Sequence, residues 1–342
     1  MSVLSDKEKL VLEAIVKFFI LNANPVASNY VARHSALAFS PATIRNIMYS
    51  LEEKGYIYQP HTSAGRVPTT RGYRFYVDHM MRRARLSTGQ KETIKKAVFQ
   101  NPGDFETVLK EASRILAHLS QQLSVIISPE FDEGVFHRMD ITRLSSERLL
   151  LILSIKSGMV KTILLEVSSY LRDEHLNSLC NILNERLHGL KVREIRAKFR
   201  EIVQDIADDK SGLIPLFSKA AHKIFDFSGE NEVFLTGTHN ILRQPEFANS
   251  IKVSSVVELL EDKNLVIHLL DDDIPDQKLS IKIGEEIREK KMKNCSIISA
   301  RYRIGNMSGT LGVIGPIRMD YSYLVPLVDF TANFLSDSLG EN

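Results

Sequence analysis

The chain has 342 residues, 44% of them hydrophobic and 25% charged, and its formal net charge at pH 7 is +2. This length predicts two or three domains with packed cores. Cys180 and Cys295 lie far apart and no CxxC pair occurs, which argues against a disulfide scaffold or a zinc site and fits a reducing cytosol. Because the sequence has no apolar signal-peptide core and no run of about eighteen apolar residues, we expect a soluble cytoplasmic protein without a membrane partner.

The charge is unevenly distributed along the chain. Residues 1–85 contain twelve Lys or Arg against six Asp or Glu, so this quarter carries +6 and the remainder carries −4. A basic module in a near-neutral chain is typical of a protein whose phosphate contacts are confined to one domain. Chance clustering is the alternative explanation from composition alone.

The first elements have the order of a helix-turn-helix. A helix is predicted over Ser5–Leu21, with an apolar face formed by Val11, Ala14, Ile15 and Phe18. Asn24-Pro25 then breaks the chain, and Ser28 can cap a short second helix that runs to about residue 35. A turn leads to Ser40, and this succession matches the lengths of a helix-turn-helix.

Ser40 and Pro41 are typical of a helix start, since Ser caps free amides and Pro suits the first turn. One face of this third helix is an apolar stripe of Ile44, Ile47, Met48 and Leu51. The opposite face carries side chains that bond base edges and phosphates: Thr43, Arg45, Asn46, Tyr49 and Ser50. The alternative is an ordinary amphipathic core helix whose polar face is merely solvated.

Gly55 is a natural helix end, and Tyr56–Gln59 and Arg66–Pro68 predict a hairpin wing around the loop 60–65. Arg66 could enter the minor groove, contact a phosphate or remain a solvated hairpin charge. The loop side chains His61, Thr62 and Ser63 could bind a phosphate or hold the turn of the loop itself.

Thr69 or Thr70 caps the next predicted helix, whose Arg71 and Arg74 suit either phosphate contact or surface ion pairing. Its aromatic and aliphatic side chains are predicted to pack the wing against the rest of the protein: Tyr73, Phe75, Tyr76 and Val77. The basic run at Arg82, Arg83 and Arg85 is either a solvated helix end or a contact to flanking DNA backbone.

The remaining residues predict an α+β domain with an insertion. Residues 86–104 are polar and predict a linker that contains a short helix. An apolar stripe from Phe105 to Leu123 predicts a long helix that covers a sheet or meets a second copy. A three-strand meander follows at 136–144, 149–156 and 160–167, and residues 171–225 are predicted to be helical.

The C-terminal third is predicted to return to strands. They are expected at 233–236, 265–270 and 281–283, with a helix over 254–262 and a hairpin formed by 296–304 and 310–314 before a closing helix over 321–339. The last predicted strand contains Gly309, Gly312 and Gly315 and ends at Pro316 without leading into a helix. These glycines therefore indicate close backbone packing and not a nucleotide-binding loop.

Enzyme motifs are missing from the sequence. GxSxG, HExxH, P-loop and GxGxxG patterns do not occur, and the ten histidines do not pair with carboxylates at ligand spacing. We therefore expect no catalytic activity, no cofactor and no metal.

Two stretches resemble a known family. Pro25–Asp78, which includes SPATIRN, QPHTSAGR and PTTRGYRFYVD, is similar to the N-terminal domain of the heat-inducible transcription repressors (HrcA), and Gly309–Leu339 is similar to that family's C-terminal strand and helix. The sequence departs from the family pattern at Asn29, Ile47 and Tyr49.

The resemblance implies a winged helix-turn-helix followed by a GAF-like domain that carries a helical, dimerising insertion. The expected boundaries are 1–85 for the DNA-binding domain, 86–104 for the linker, 105–167 and 231–342 for the two parts of the GAF-like domain, and 168–230 for the insertion. The resemblance also implies an inverted-repeat operator (CIRCE) upstream of chaperone operons of the groE and dnaK type, repression at ordinary temperature, and assistance from the chaperonin GroEL.

A dimer is expected on physical grounds too, because one recognition helix reads only about four base pairs and genomic specificity needs two half-sites. The expected DNA-binding residues are Ser40, Thr43, Arg45, Asn46, Tyr49, Ser50, His61, Thr62, Ser63, Arg66, Arg71 and Arg74. The alternative function is a small-molecule-responsive regulator, since GAF-like domains often hold ligands in an apolar pocket.

Overall fold

The computed structural model describes residues 4–62, 64–99, 105–167, 172–204, 213–227, 231–247, 258, 262–271 and 279–340, which form a mixed α and β architecture. The helices are α1 Asp6–Asn22, α2 Ser28–His34, α3 Pro41–Glu53, α4 Thr70–His79, α5 Thr88–Phe99, α6 Phe105–Ser120, α7 Asp173–Leu187, α8 Val192–Val203, α9 Leu213–Ile224, α10 Thr238–Leu242, α11 Lys263–Asp271 and α12 Tyr321–Gly340. The strands are β1 Ile57–Tyr58, β2 Val67–Pro68, β3 Leu123–Ile127, β4 Phe136–Ser145, β5 Arg148–Ile155, β6 Val160–Glu166, β7 Val233–Thr236, β8 Leu279–Ile283, β9 Cys295–Ile304 and β10 Met307–Pro316.

Residues 4–79, which we call the head, contain α1 to α4 and the β1–β2 hairpin. Ser40 caps α3 by accepting a hydrogen bond from the Thr43 amide at 3.1 Å, and Pro41 begins the helix, which confirms the prediction. Gly55 follows α3 with φ +75°, a conformation that suits glycine. The predicted Ser28 cap is wrong, because α2 already begins at Ser28 and its N-cap, Ala27, has no side-chain acceptor.

Glu8 ties α1 to the end of α3. Its carboxylate is 6% exposed and accepts hydrogen bonds from the Ser5 amide (2.8 Å), the Ser50 hydroxyl (2.8 Å) and the Lys54 ammonium (2.6 Å). Burial by itself raises the pKa of Glu8, but the bonds from Lys54, Ser5 and Ser50 outweigh it and lower the pKa from 4.5 to about 2. Ionised Glu8 is therefore a stabilising contact between the first and third helices.

Glu8→Gln is expected to destabilise the head by up to about 3.5 kcal/mol at pH 7, because the lowering of the Glu8 pKa from 4.5 to about 2 corresponds to about 1.4 kcal/mol for each pH unit. A lowered folded-state pKa contributes stability above the unfolded value, and this stability is lost as the pH falls from 4.5 towards 2. Urea-induced unfolding of the full chain should therefore separate the variant from the native protein at pH 7 and much less at pH 3. Glu13→Gln, which breaks the half-exposed Glu13–Lys17 pair, is the control and should cost under about 0.5 kcal/mol.

The rest of the chain, residues 88–340, which we call the body, is built on an antiparallel five-stranded sheet in the order β7-β3-β10-β9-β8. Side chains of β3 alternate between two cores, since Leu123, Val125 and Ile127 pack with α10 and α11, whereas Ile126 belongs to the core that contains α6 and α12. Helices therefore cover both faces of the sheet.

The glycines of β10 allow close packing, as predicted. A Cβ at Gly312 would lie 2.5 Å from the Ile298 carbonyl oxygen, and one at Gly309 would lie 2.5 Å from the Tyr302 ring. These contacts bring β9 and β10 together with no space for a nucleotide loop.

A second sheet in the body is the predicted meander β4-β5-β6, with Leu151 paired to both Ile141 and Ile163. On its middle strand, Leu149, Leu151 and Leu153 of one face are fully buried. Helices α7, α8 and α9 lie in the predicted helical block and add Leu183 and Phe217 to this core. This unit leaves the larger sheet after β3 and rejoins it at β7, and β3 and β7 pair directly.

Three further sequence predictions need correction or comment. Leu123 begins strand β3 and does not continue α6, because Gln121 has φ +54° and ends the helix. Residues 265–270 form helix α11 and not a strand; Asp262 accepts the Leu265 amide at 3.1 Å, and Val266, Leu269 and Leu270 are buried at helical spacing. The predicted helix over 254–262 lies almost entirely outside the described residues.

The short helix expected within 86–104 is α5, and it packs closely against its neighbours. Ile94, Ala97 and Val98 are buried, and the helix lies against α6 and α12. Helix α5 therefore packs as part of the body.

Candidate nucleic-acid interface

Helix α3 is anchored by one face and presents the other to solvent. Ile44, Met48 and Leu51 are buried, at 0%, 4% and 0% exposure. Four polar side chains of the opposite face remain exposed to solvent when head and body are considered together: Thr43, Arg45, Asn46 and Tyr49. The described residues of the body leave this face open, and its donors and acceptors match those that read base edges in the major groove.

The N-terminus of α3 is arranged to receive an anion. The Ser40 and Thr43 hydroxyls are 2.9 Å apart and both residues are exposed. Pro41 has no amide proton and the Thr43 amide is bonded to Ser40, so the two hydroxyls and the partial positive charge of the helix start are the features that suit a DNA phosphate there.

Ser50 differs from the other predicted contacts on α3. Its hydroxyl donates to Glu8 at 2.8 Å, so it is engaged in helix packing. Ile47, which the sequence places on the apolar stripe, is only half-buried.

The hairpin loop is held by a residue that the sequence reading did not single out. Gln59 Nε2 donates to the carbonyl oxygens of Thr62 (2.9 Å) and Ala64 (3.0 Å). His61 and Thr62 are exposed, and Ser63 lies outside the described residues. Because the Gln59 side chain makes the hydrogen bonds that hold the turn, the His61 and Thr62 side chains face solvent. The sequence signal for this role of Gln59 is its position at the start of a loop that contains proline.

Arg66 joins the hairpin to two other parts of the head. Its guanidinium pairs with Glu52 on α3 at 2.8 Å, and its backbone exchanges hydrogen bonds with Val26 at 2.8 and 2.9 Å. A Cβ at the preceding Gly65 would lie 2.4 Å from the Val26 backbone, so this close approach requires glycine. The side chain of Arg66 is 19% exposed.

The two arginines of α4 have separate environments. Arg71 is exposed and lies over the Tyr56 ring at 4.6 Å, which holds its charge at the base of the hairpin. Arg74 points to the body and pairs with Glu286, the ion-pairing alternative that the sequence left open. Thr69 caps α4, and Tyr73, Tyr76 and Val77 are buried, as predicted.

Other chemistry has little support in the described part of the chain. No group of three or more His, Cys, Asp and Glu side chains there could hold a metal ion. Burial raises the pKa of Cys180 and raises that of Cys295 to about 12, so neither is a reactive thiolate at neutral pH. Each helix of the described residues is too short or too polar to cross a bilayer.

Comparisons with known proteins identify the family of the chain. Residues 106–325 match the family model of the HrcA protein C terminal domain. A heat-inducible transcription repressor HrcA from Chlorobium phaeobacteroides (strain BS1) is 39% identical over 98% of both chains, and one from Geobacter sulfurreducens is 37% identical over 98% of both. A crystal structure of a hypothetical protein superposes with a TM-score of 0.67 at 25% identity over 99% of both chains. The chain therefore belongs to the HrcA family of heat-inducible transcription repressors.

Proposed function

We propose that two copies of this chain bind an inverted-repeat operator (CIRCE) upstream of chaperone operons of the groE and dnaK type in the cytoplasm, and that heat lifts the repression. The observation that carries the proposal is the face of α3 with Arg45 and Asn46, which is exposed while Ile44, Met48 and Leu51 on the opposite face are buried. Membership of a family of heat-inducible transcription repressors supports the biological setting.

The head acts as a winged helix-turn-helix. α3 enters the major groove with Thr43, Arg45, Asn46 and Tyr49, and its start at Ser40 meets a phosphate. The hairpin is the wing and brings His61 and Thr62 to the DNA backbone, and Arg71 adds a phosphate contact. Ser63, which lies outside the described residues, is proposed as a further contact from its position in the sequence alone. Ser50, Arg66 and Arg74 act within the protein, in agreement with their bonds to Glu8, Glu52 and Glu286.

The body comprises a GAF-like domain and an insertion. The five-stranded sheet, with α5, α6 and α12, is the GAF-like part, and residues 128–232 are the insertion, which is wider than the 168–230 expected from sequence. The direct pairing of β3 with β7 supports these boundaries, since the chain leaves and re-enters the sheet at neighbouring strands.

The insertion forms the dimer. The outward face of the meander aligns Leu150 with Leu164, and Ile152 with Thr162, across β5 and β6. Val160 and Leu164 are 56% and 51% exposed, so an apolar surface lies open on a sheet whose other face is buried. Such a surface is the kind that a second copy covers in a symmetric dimer.

The chaperonin GroEL maintains the active fraction. If the dimer is only marginally stable, a loss of about 1.4 kcal/mol changes the ratio of competent to incompetent protein tenfold. Heat then depletes the competent form while unfolded clients occupy the chaperonin, and repression returns when free chaperonin does.

The test is binding of the purified repressor to operator and to random DNA, with and without chaperonin, before and after mild heating. We expect preferential operator binding, an active fraction that heating lowers, and recovery when chaperonin and ATP are added. An active fraction that chaperonin leaves unchanged would remove this regulatory mechanism, and equal affinity for operator and random DNA would remove the repressor function.

A small-molecule sensor is the less favoured function. A cavity of about 150 Å³ lies between the two sheets, lined by aromatic side chains that include Phe131 and Phe227 and by Glu232, whose pKa is raised by burial and by Glu106. Ligand pockets usually have roughly 300–1,000 Å³, so this space suits only a very small molecule. Clefts of about 400 Å³ beside Arg301 and about 620 Å³ between head and body beside Arg318 are larger. A thermal-shift screen of metabolites that yields no stabilising ligand is the expected result.

A further inference from the structure

Arg74 fastens the head to the body by an extended set of hydrogen bonds. Nε donates to one oxygen of Glu286 at 2.8 Å, and Nη2 donates to the other oxygen of that carboxylate and to the Ile281 carbonyl oxygen at 2.6 Å. Nη1 donates to Asp78 on the same helix at 3.1 Å. Glu286 is itself held, because it accepts the Ile283 amide at 2.8 Å. All three nitrogens of the guanidinium are therefore used in a bidentate, charge-assisted arrangement.

Arg318 makes a second connection, from the body to the head. Nη1 donates to the Ile20 carbonyl oxygen at the end of α1 (3.3 Å), and Nη2 donates to Gln244 Oε1 (2.8 Å). Nε forms an ion pair with Glu246, and the Arg318 side chain is 14% exposed. The two arginines thus hold the head through different helices.

Closely packed side chains accompany these connections. The rings of Tyr73 in the head and Tyr321 in the body have centroids 6.1 Å apart, and both residues are fully buried. At Gly284, which has φ +54°, a Cβ would lie 2.7 Å from the Thr70 hydroxyl oxygen, so the backbone of the body comes directly against the start of α4. A rotation of the head would break charged hydrogen bonds and expose buried aromatic surface.

We propose that Arg74 and Arg318 are positioning residues that fix the direction of α3 relative to the body, and thereby the half-site spacing that the dimer accepts. This inference rests on the proposed function. One added base pair moves the distant half-site by about 3.4 Å and turns it by roughly a tenth of a helical turn. A fixed head accepts one spacing, whereas a mobile head accepts several.

The first test compares operator duplexes whose half-sites are moved by one or two base pairs in either direction, together with a single half-site. The native protein is expected to prefer the natural spacing by at least about tenfold. Arg74→Ala and Glu286→Gln should each reduce this preference to about two- or threefold and leave half-site affinity unchanged. Arg114→Ala, which breaks the exposed Arg114–Glu111 pair within α6, is the matched control and should retain the full preference.

The Glu286 variant distinguishes positioning from DNA contact, since this carboxylate lies on the body. If Arg74→Ala weakens binding to every duplex, including the half-site, while Glu286→Gln is silent, Arg74 contacts DNA and the inference is overturned. A native protein without a spacing preference overturns it as well, although specific half-site binding would still support the proposed function.

A second measurement does not involve DNA. Spin labels at Glu53→Cys on α3 and Asp337→Cys on α12 report the head-to-body distance, with labelled chains diluted in unlabelled protein; both positions are exposed and the two native cysteines are buried. We expect a narrow distance distribution in the native protein and a clearly broader one in Arg74→Ala. Equal widths would show that Arg74 does not fix the head, whatever the outcome of the DNA experiments.

Discussion

Replacing Arg45 or Asn46 with alanine is expected to weaken operator binding by about 1–3 kcal/mol at each half-site and to change binding to random DNA much less. Both side chains are exposed on a helix whose opposite face is buried, so their removal creates no cavity in the head. Arg bonds guanine and Asn bonds adenine through paired donors and acceptors, and the loss of either leaves a base edge unpaired. Competition binding with labelled operator and random duplexes measures the two affinities.

The control for this pair is Lys9→Ala on α1, which removes a charge that pairs with Asp6 on the same helix. It should lower affinity for both duplexes equally or leave both unchanged. Equal losses on operator and random DNA from the Arg45 and Asn46 variants would reassign these residues to phosphate contact, because phosphates carry no direct sequence information.

Leu164→Lys in the outward face of the meander is expected to separate the dimer into monomers and to lower operator affinity by about a hundredfold or more. A lysine at this position would place a charge in an apolar interface. A monomer would also lose the increase in affinity that comes from linking two DNA-binding heads. Leu164 is 51% exposed in one chain, so the fold of the monomer should not depend on it. Analytical ultracentrifugation gives the oligomeric state, and titration of operator DNA gives the affinity.

Leu21→Lys provides the comparison, since Leu21 is 77% exposed on the head and lies outside the insertion. That variant should remain dimeric. A dimer that persists in Leu164→Lys at the same protein concentration would locate the interface elsewhere on the body.

Local signals in the sequence were sufficient for most elements. Ser40 and Pro41 determine where α3 begins, and the spacing of Ile44, Met48 and Leu51 determines which face is buried. The hairpin of β9 and β10 turns at Gly305, where φ is +58°, as its sequence predicts. These features depend on neighbours within a few residues, so they can be read without the fold.

The errors and omissions have a different physical origin. Residues 265–270 are a short apolar run whose pattern fits either a strand or a helix. The hydrogen bond from the Leu265 amide to Asp262, which caps the helix, is visible only in the structure. The partners of Arg74 and Glu8 lie on other elements, and Glu286 is far from Arg74 in sequence. Periodicity carries no information on such contacts, which is why phosphate contact and ion pairing were both open for Arg74.

The same limit applies to the proposed insertion. The alternation of apolar and polar residues predicted the three strands of the meander. Strand pairing shows that these strands form a separate sheet, with Leu151 on the middle strand, and that helices α7 to α9 belong to the same unit. Which sheet a strand enters depends on long-range pairing, because any strand with one apolar face satisfies the local pattern.

Hydroxyl-radical footprinting of the full-length protein on a chaperone-operon fragment tests most directly whether two basic heads read a palindrome. The predicted result is protection of two half-sites placed symmetrically about the centre of the inverted repeat. At protein concentrations near the dissociation constant, scrambling the sequence of one half-site should abolish the protection of both. Protection of one half-site alone, unaffected by scrambling the other, would contradict the account.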